Sequence, residues 1–92
     1  EGPGMAKQAI IISCCGKEIN DRLLFELGRG VTRLEGSGGY NGESREVLLC
    51  VVTRQQIARL KSIIHEVDPK AFVIIGNATE VHGEGFLRMQ QN

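Results

Sequence analysis

Apolar residues along this chain gather in patches, and the spacing alternates between unbroken runs and helical stripes. Ala9, Ile10, Ile11 and Ile12 follow one another without a polar break. Such a run, within residues 7–13, suits a strand buried on both faces. After a turn over residues 14–17, Ile19, Leu23, Leu24 and Leu27 fall on one side of a helix. Gly28 supplies the left-handed residue that ends it. Phe25 points away from that stripe, as either a lone exposed apolar residue or part of a contact surface. Residues 31–36 form a second, more polar strand, and Thr32, Arg33 and Glu35 place it at a sheet edge. Residues 46–53 form a third, apolar throughout from Val47 to Val52, as a central strand would be. Thr53-Arg54-Gln55-Gln56 reads as a capping box: the Thr53 hydroxyl accepts from the Gln56 N–H, and the Gln56 amide answers. The helix it opens carries Ile57, Leu60, Ile63, Ile64 and Val67 on one face. Asp68-Pro69 stops it, because the residue before proline is pushed out of helical geometry. Residues 71–75 are the fourth strand, ended by Gly76-Asn77.

The order is βαββαβ. Two interleaved right-handed βαβ units give a four-stranded antiparallel sheet, order 4-1-3-2, with both helices on one face. This is an α+β, ferredoxin-like sandwich. Its helices cover a single face, yet the first, third and fourth strands are apolar at successive positions, which face both ways. The uncovered face would exceed the few hundred Å² that a monomer usually exposes. Assembly through the sheet, as a homo-oligomer (dimer or trimer), is the economical solution. A C-terminal segment folding back over the sheet is the alternative.

Ninety-two residues make one domain, with 1–5 as a linker, 6–86 as the folded unit and 87–92 as a tail. Eleven basic and eleven acidic residues cancel, which argues against a general nucleic-acid binder. No run of 18 apolar residues is present, so nothing here spans a membrane as a helix. The 9–12 run is too short for the core of a signal peptide. Cys14, Cys15 and Cys50 are odd in number and lack metal spacing. Adjacent cysteines do not readily bridge each other. Reduced thiols in a cytoplasmic setting follow, with a redox role for Cys14-Cys15 as the minor alternative.

Candidate chemistry falls in two segments. The tip at 36–42 holds Gly36, Gly39 and Gly42, whose freedom would let backbone N–H groups converge on an anion. No phosphate-loop fingerprint accompanies them, and a mobile hairpin needing left-handed residues reads equally well. Tyr40 there could stack on a base or dock on a partner. Arg29, Arg33 and Arg45 would clamp a carboxylate or phosphate if they converged; singly each reads as a solvated surface arginine. The second segment holds Glu80, His82, Gly83, Glu84, Gly85 and Phe86. Its glycines imply tight turns, Phe86 an anchor in an apolar groove, and Glu80, His82 and Glu84 groups able to exchange protons. His65 belongs to a helix, so the ligand count speaks against a metal. The plainer alternative is a structured tail that caps the sheet or a neighbouring subunit. No nucleophile elbow, zinc motif or Ser, Cys and His set is present, so catalysis is not expected.

Several of these stretches form a pattern: Ile11-Ile12-Ser13, Arg29-Gly30-Val31-Thr32, Gly39-Tyr40 with Gly42, and Leu60-Lys61 with Ile64. Asp68-Pro69-x-Ala71-Phe72 and Glu80-Val81-x-Gly83-Glu84-Gly85-Phe86 complete it. With them the chain resembles the soluble C-terminal domain of the YitT-like bacterial multi-pass membrane proteins, a domain of unknown function. The resemblance implies a preceding membrane region, reached through residues 1–5. It also implies a place at the cell membrane, with this domain on the cytoplasmic side. Cys14-Cys15-Gly16 departs from the more polar turn expected there. Domains of this shape look like the PII proteins, trimers that hold small ligands between subunits and signal through a long loop. The 36–42 tip occupies that loop's position but is much shorter.

Two functions follow as expectations. One is a regulatory or ligand-sensing domain that takes a nucleotide or other small anionic ligand at a subunit boundary. It predicts a cleft lined by Arg29, Tyr40 and residues 80–86. The other is a structural oligomerisation module for the membrane protein, with no ligand. It predicts those residues packed together without a cavity. Neither names a cofactor.

Overall fold

The computed structural model describes residues 6–83. The 1–5 linker, the tail, and the expectations for Glu84, Gly85 and Phe86 lie outside the described residues. The elements are β1 (Ala6–Ser13), α1 (Gly16–Leu27), β2 (Val31–Ser37), β3 (Ser44–Thr53), α2 (Ile57–Val67) and β4 (Phe72–Ala78). The strands form one sheet in the order β2-β3-β1-β4, which is the expected order read from its other edge. Every neighbouring pair is antiparallel. The apolar runs of β1 and β3 are therefore the central strands, while the equally apolar run of β4 lies at an edge.

Several boundaries differ from the sequence reading: β1 starts at Ala6, β3 at Ser44 and β4 at Phe72, and three further differences have a local reason. β4 does not stop at Gly76-Asn77. The ladder continues, pairing Gly76 with Gln8, Asn77 with Lys7 and Ala78 with Ala6. Backbone pairing along the whole of β1 outweighs the poor strand preference of Gly and Asn. β2 extends one residue further, to Ser37, which pairs with Ser44. The turn that opens α2 is a tight 3-10 turn over Arg54–Gln56, and α2 proper starts at Ile57. Gly28 ends α1 at φ 65°, and its N–H donates to the Leu24 carbonyl at 3.2 Å.

Alternation decides which side chains enter the core. Ala9 and Ile11 of β1 point to the same side as Leu48, Cys50 and Val52 of β3. They pack with Ile19 and Leu23 of α1 and with Leu60, Ile63 and Ile64 of α2. Both helices share this one cluster, so both lie on one face of the sheet. Arg22 and Glu26 of α1 tie the helices together on the outside, Arg22 to Glu66 and Glu26 to Arg59. Such exposed pairs orient helices more than they stabilise them.

The opposite face carries apolar rows across all four strands. Leu34, Val47, Ile12 and Phe72 stand side by side. In the next row Leu49, Ile10 and Ile74 do the same, with Thr32 at the β2 edge. Phe72 is 61% exposed, and Leu34, Leu49 and Ile74 are exposed as well. No described element lies over them.

Candidate functional site

Where β1 meets α1, one buried hydroxyl sets the local geometry. Ser13 Oγ donates to Asp68 Oδ2 at 2.6 Å and accepts the Cys15 N–H at 2.8 Å. The Ser13 hydroxyl, helped by the Lys70 N–H, holds the Asp68 carboxyl below the usual carboxylate range. The turn carrying Cys14 and Cys15 is thereby tied to the chain leaving α2.

β3 passes beneath the start of α1. Glu46 lies opposite Ser13 in the sheet, and its carboxylate pairs with Arg33. Its second oxygen, Oε1, is buried without a hydrogen-bond partner. It lies against Gly16 at the first turn of α1, where the positive end of the helix favours a carboxylate. A Cβ on Gly16 would sit 2.0 Å from that oxygen and 2.5 Å from the Glu46 Cβ. Only glycine allows so close an approach. Gly16→Ala would normally favour a helix by about 0.5–1 kcal/mol. Here the change should cost about 1–3 kcal/mol instead, as an overpacked contact. Urea denaturation reads the sign; a gain in stability would mean that Glu46 moves aside freely.

Beside this contact opens a cleft of about 420 Å³. One wall is the start of α1, from Cys14 to Glu18; the other is the base of the β2–β3 hairpin, with Glu35, Gly36, Ser44, Arg45 and Glu46. Gly36 and Arg45 are cross-strand partners, so register places both there. Arg45 bonds the Glu43 carboxylate at 3.0 Å, and Lys17 bonds Asp21 at 2.9 Å.

The remaining expected site residues do not join them. The hairpin tip spends its amides internally: Gly38 N–H donates to the Glu43 carbonyl and Gly42 N–H to the Gly38 carbonyl, both at 2.8 Å. Gly42 has φ 74°, as its turn requires, and Gly39 faces open space. Tyr40 is fully exposed.

Arg29 is not a cleft residue. It is buried at the other end of the sheet, where its Nε donates to Gln56 Oε1 at 2.7 Å. The same oxygen accepts the Thr53 N–H at 3.1 Å, and Gln56 Nε2 donates to the Leu27 carbonyl at 3.2 Å. One amide thus joins the end of α1, the entry to β2 and the turn into α2. Burial lowers the Arg29 pKa and pushes the Cys50 thiol up to about 11, each group partly offsetting the other. With Arg33 on Glu46 and Arg45 on Glu43, the three arginines do not converge.

Glu80 and His82 are exposed, with 3.8 Å between His82 Nε2 and Glu80 Oε2, and Gly83 has φ 152°. They follow β4, which ends beside Ala6, whereas the hairpin base lies near Ser13. Within one chain the end of β4, from which residues 79–83 follow, is separated from the hairpin base by the length of β1, roughly 25 Å at 3.4 Å per residue. Among the described residues no cluster of His, Cys, Asp or Glu is placed to hold a metal ion. The wall that the sequence reading missed is the start of α1. Its one signal was the glycine in Cys15-Gly16-Lys17, directly ahead of the helical stripe.

Comparison with known proteins bears on the family and the fold. Residues 29–83 match a family described as an uncharacterized protein conserved in bacteria, DUF2179. The UPF0750 membrane protein YpjC of Bacillus subtilis (strain 168) is 45% identical over 86 residues, which are 94% of this chain and 30% of that protein. The UPF0750 membrane protein YitT of the same organism is 33% identical over 79 residues, 86% of this chain and 28% of that protein. The chain therefore spans less than a third of either relative. Among solved structures, the DUF2179 protein from Eubacterium ventriosum superposes with a TM-score of 0.65 at 37% identity, covering 77% of this chain and 97% of that one. CPII from Thiomonas intermedia K12, a structure bound to ADP, AMP and acetate, gives 0.66 at 18% identity, covering 85% of this chain and 89% of that one. The second likeness is one of fold, and it is the PII-like fold. A matched family region spanning most of the chain, and a family structure matched almost end to end, settle the kinship: this chain belongs to the DUF2179 family, the domain it shares with the YitT-like membrane proteins.

Proposed function

We propose that this domain is a cytoplasmic ligand-sensing module of a multi-pass bacterial membrane protein. Its seat is the cleft between the start of α1 and the β2–β3 hairpin. The cleft carries the reading, because its volume of about 420 Å³ falls within the range of small-molecule sites, roughly 300–1,000 Å³. Lys17 and Arg45 offer contacts for a nucleotide or other small anion, in a lining they share with Glu18, Glu35 and Glu46. Lys17 is held by the surface carboxylate of Asp21, and Arg45 by that of Glu43 and by the Ser44 carbonyl; such surface ion pairs are worth at most about 1 kcal/mol. A phosphate or carboxylate can therefore displace Asp21 and Glu43. Tyr40, fully exposed at the hairpin tip and outside the cleft wall, is free to stack only on a ring that projects beyond the cleft. The relatives' membrane character supports the setting, and three unbridged cysteines suit the reducing side.

A thermal-shift screen of nucleotides and small anions tests this. A ligand at a hundred times its Kd adds about 2.7 kcal/mol to the native state. For a domain of this size that raises Tm by roughly 10–20 °C. Arg45→Ala should blunt the response while leaving the unliganded Tm nearly unchanged. A response that ignores Arg45→Ala would move the seat elsewhere, and the absence of any response would end the proposal.

The open apolar face supports a second role compatible with the first. We infer that the sheet is an assembly surface through which copies of this domain join as a dimer or trimer.

A further inference from the structure

The three cysteines are all free, and the fold sorts them into two kinds. Cys50 belongs to the core, beneath both helices. Cys14 is exposed, Cys15 is half-buried, and both line the cleft described above. The turn carrying them is held at two points. The Cys15 N–H is bound by Ser13 Oγ at 2.8 Å, and its carbonyl accepts the Ile19 N–H at 3.1 Å.

We propose that Cys14 and Cys15 form a two-sulfur site for a soft, thiophilic centre, such as trivalent arsenic or a metal ion of like softness. Thiolate ligands select soft centres. The backbone of the turn is held at Cys15, so binding one atom with both sulfurs orders side-chain torsions and little of the backbone. Adjacent cysteines resist closing on each other as a disulfide, which leaves both sulfurs available. No third ligating group completes a cluster among the described residues. A tetrahedral zinc site is thus not matched, whereas a centre satisfied by two sulfurs is. This chemistry stands apart from any reversible ligand in the cleft.

Phenylarsine oxide is the probe. Both thiols add to arsenic, the arsenic–oxygen double bond gives way to two arsenic–sulfur bonds, and the two protons leave with the oxygen as water. Arsenic stays trivalent, so no oxidant or reductant is needed. The full chain, kept folded, is treated with the probe in the presence of excess monothiol, and intact mass and maleimide-reactive thiols are measured. The expected result is one phenylarsenic group per chain with Cys14 and Cys15 both protected from maleimide. Cys50→Ala should capture the probe equally well. Cys14→Ser and Cys15→Ser should each weaken capture tenfold or more, with circular dichroism confirming that both variants are folded. Capture that survives either single serine variant would overturn the proposal. So would a Cys14 that still reacts with maleimide after treatment, or a folded wild-type chain that takes up no arsenic.

Discussion

Replacing Gln56 with alanine is expected to destabilise the domain by about 2–4 kcal/mol, far more than a loop-side polar residue normally would. The substitution strands three groups at once: the Nε of buried Arg29, the Thr53 N–H and the Leu27 carbonyl. The arginine dominates, because a buried charge deprived of its partner costs more than a neutral donor. At roughly 4–8 °C per kcal/mol for a domain of this size, Tm should fall by about 10–30 °C. Gln56→Glu should be milder. A carboxylate still accepts from Arg29 and Thr53, and only the donation to Leu27 is lost. Urea unfolding of both variants gives the order. An alanine variant within about 0.5 kcal/mol of wild type would mean that water satisfies these groups and that Arg29 is not a lock.

A charge placed on the open sheet face should abolish assembly. The exposed rows run across four strands, roughly 15–20 Å at the usual strand spacing. Leu49, on central β3, faces Thr32 on one side and Ile10 on the other. In an isolated chain Leu49→Lys removes a side chain that is already 38% exposed, so the fold should survive. In an assembly the same lysine is buried against apolar neighbours without a partner, which is prohibitive. Light scattering on wild type should give two or three times the chain mass of 10.1 kDa. The Leu49→Lys variant should give the single-chain mass with a similar circular dichroism spectrum. A wild type that stays at the single-chain mass at high concentration would contradict the assembly role.

Periodicity carried most of the fold. The apolar runs of β1 and β3 suited central strands and the polar face of β2 an edge, while β4, equally apolar, took the other edge through the βαβ connection rather than through its composition. The capping box showed that Gln56 reaches back to Thr53. It could not show that the same amide also reaches Arg29 and Leu27, because those contacts depend on how α1 and α2 dock. The close fit of Gly16 on Glu46 likewise depends on β1–β3 register. Arginine is polar in any pattern, so the burial of Arg29 left no local trace. The glycines of the hairpin tip are needed for its turn, and their amides are used within it; composition alone does not distinguish that from an anion-binding loop. The distance between residues 80–83 and the hairpin follows from strand direction, since β4 ends at the far end of the sheet from the β2–β3 connection.

The central claim is that a small anionic ligand sits between the start of α1 and the hairpin base. It is tested most directly by amide chemical shifts, recorded while the domain is titrated with whichever nucleotide or anion raises its Tm. The predicted result is a contiguous set of shifts at residues 14–18, 35–36 and 44–46, saturating with one affinity, and lost in Arg45→Ala. Shifts confined to the Arg29–Gln56 lock or to residues 80–83, with the cleft residues unmoved, would contradict it.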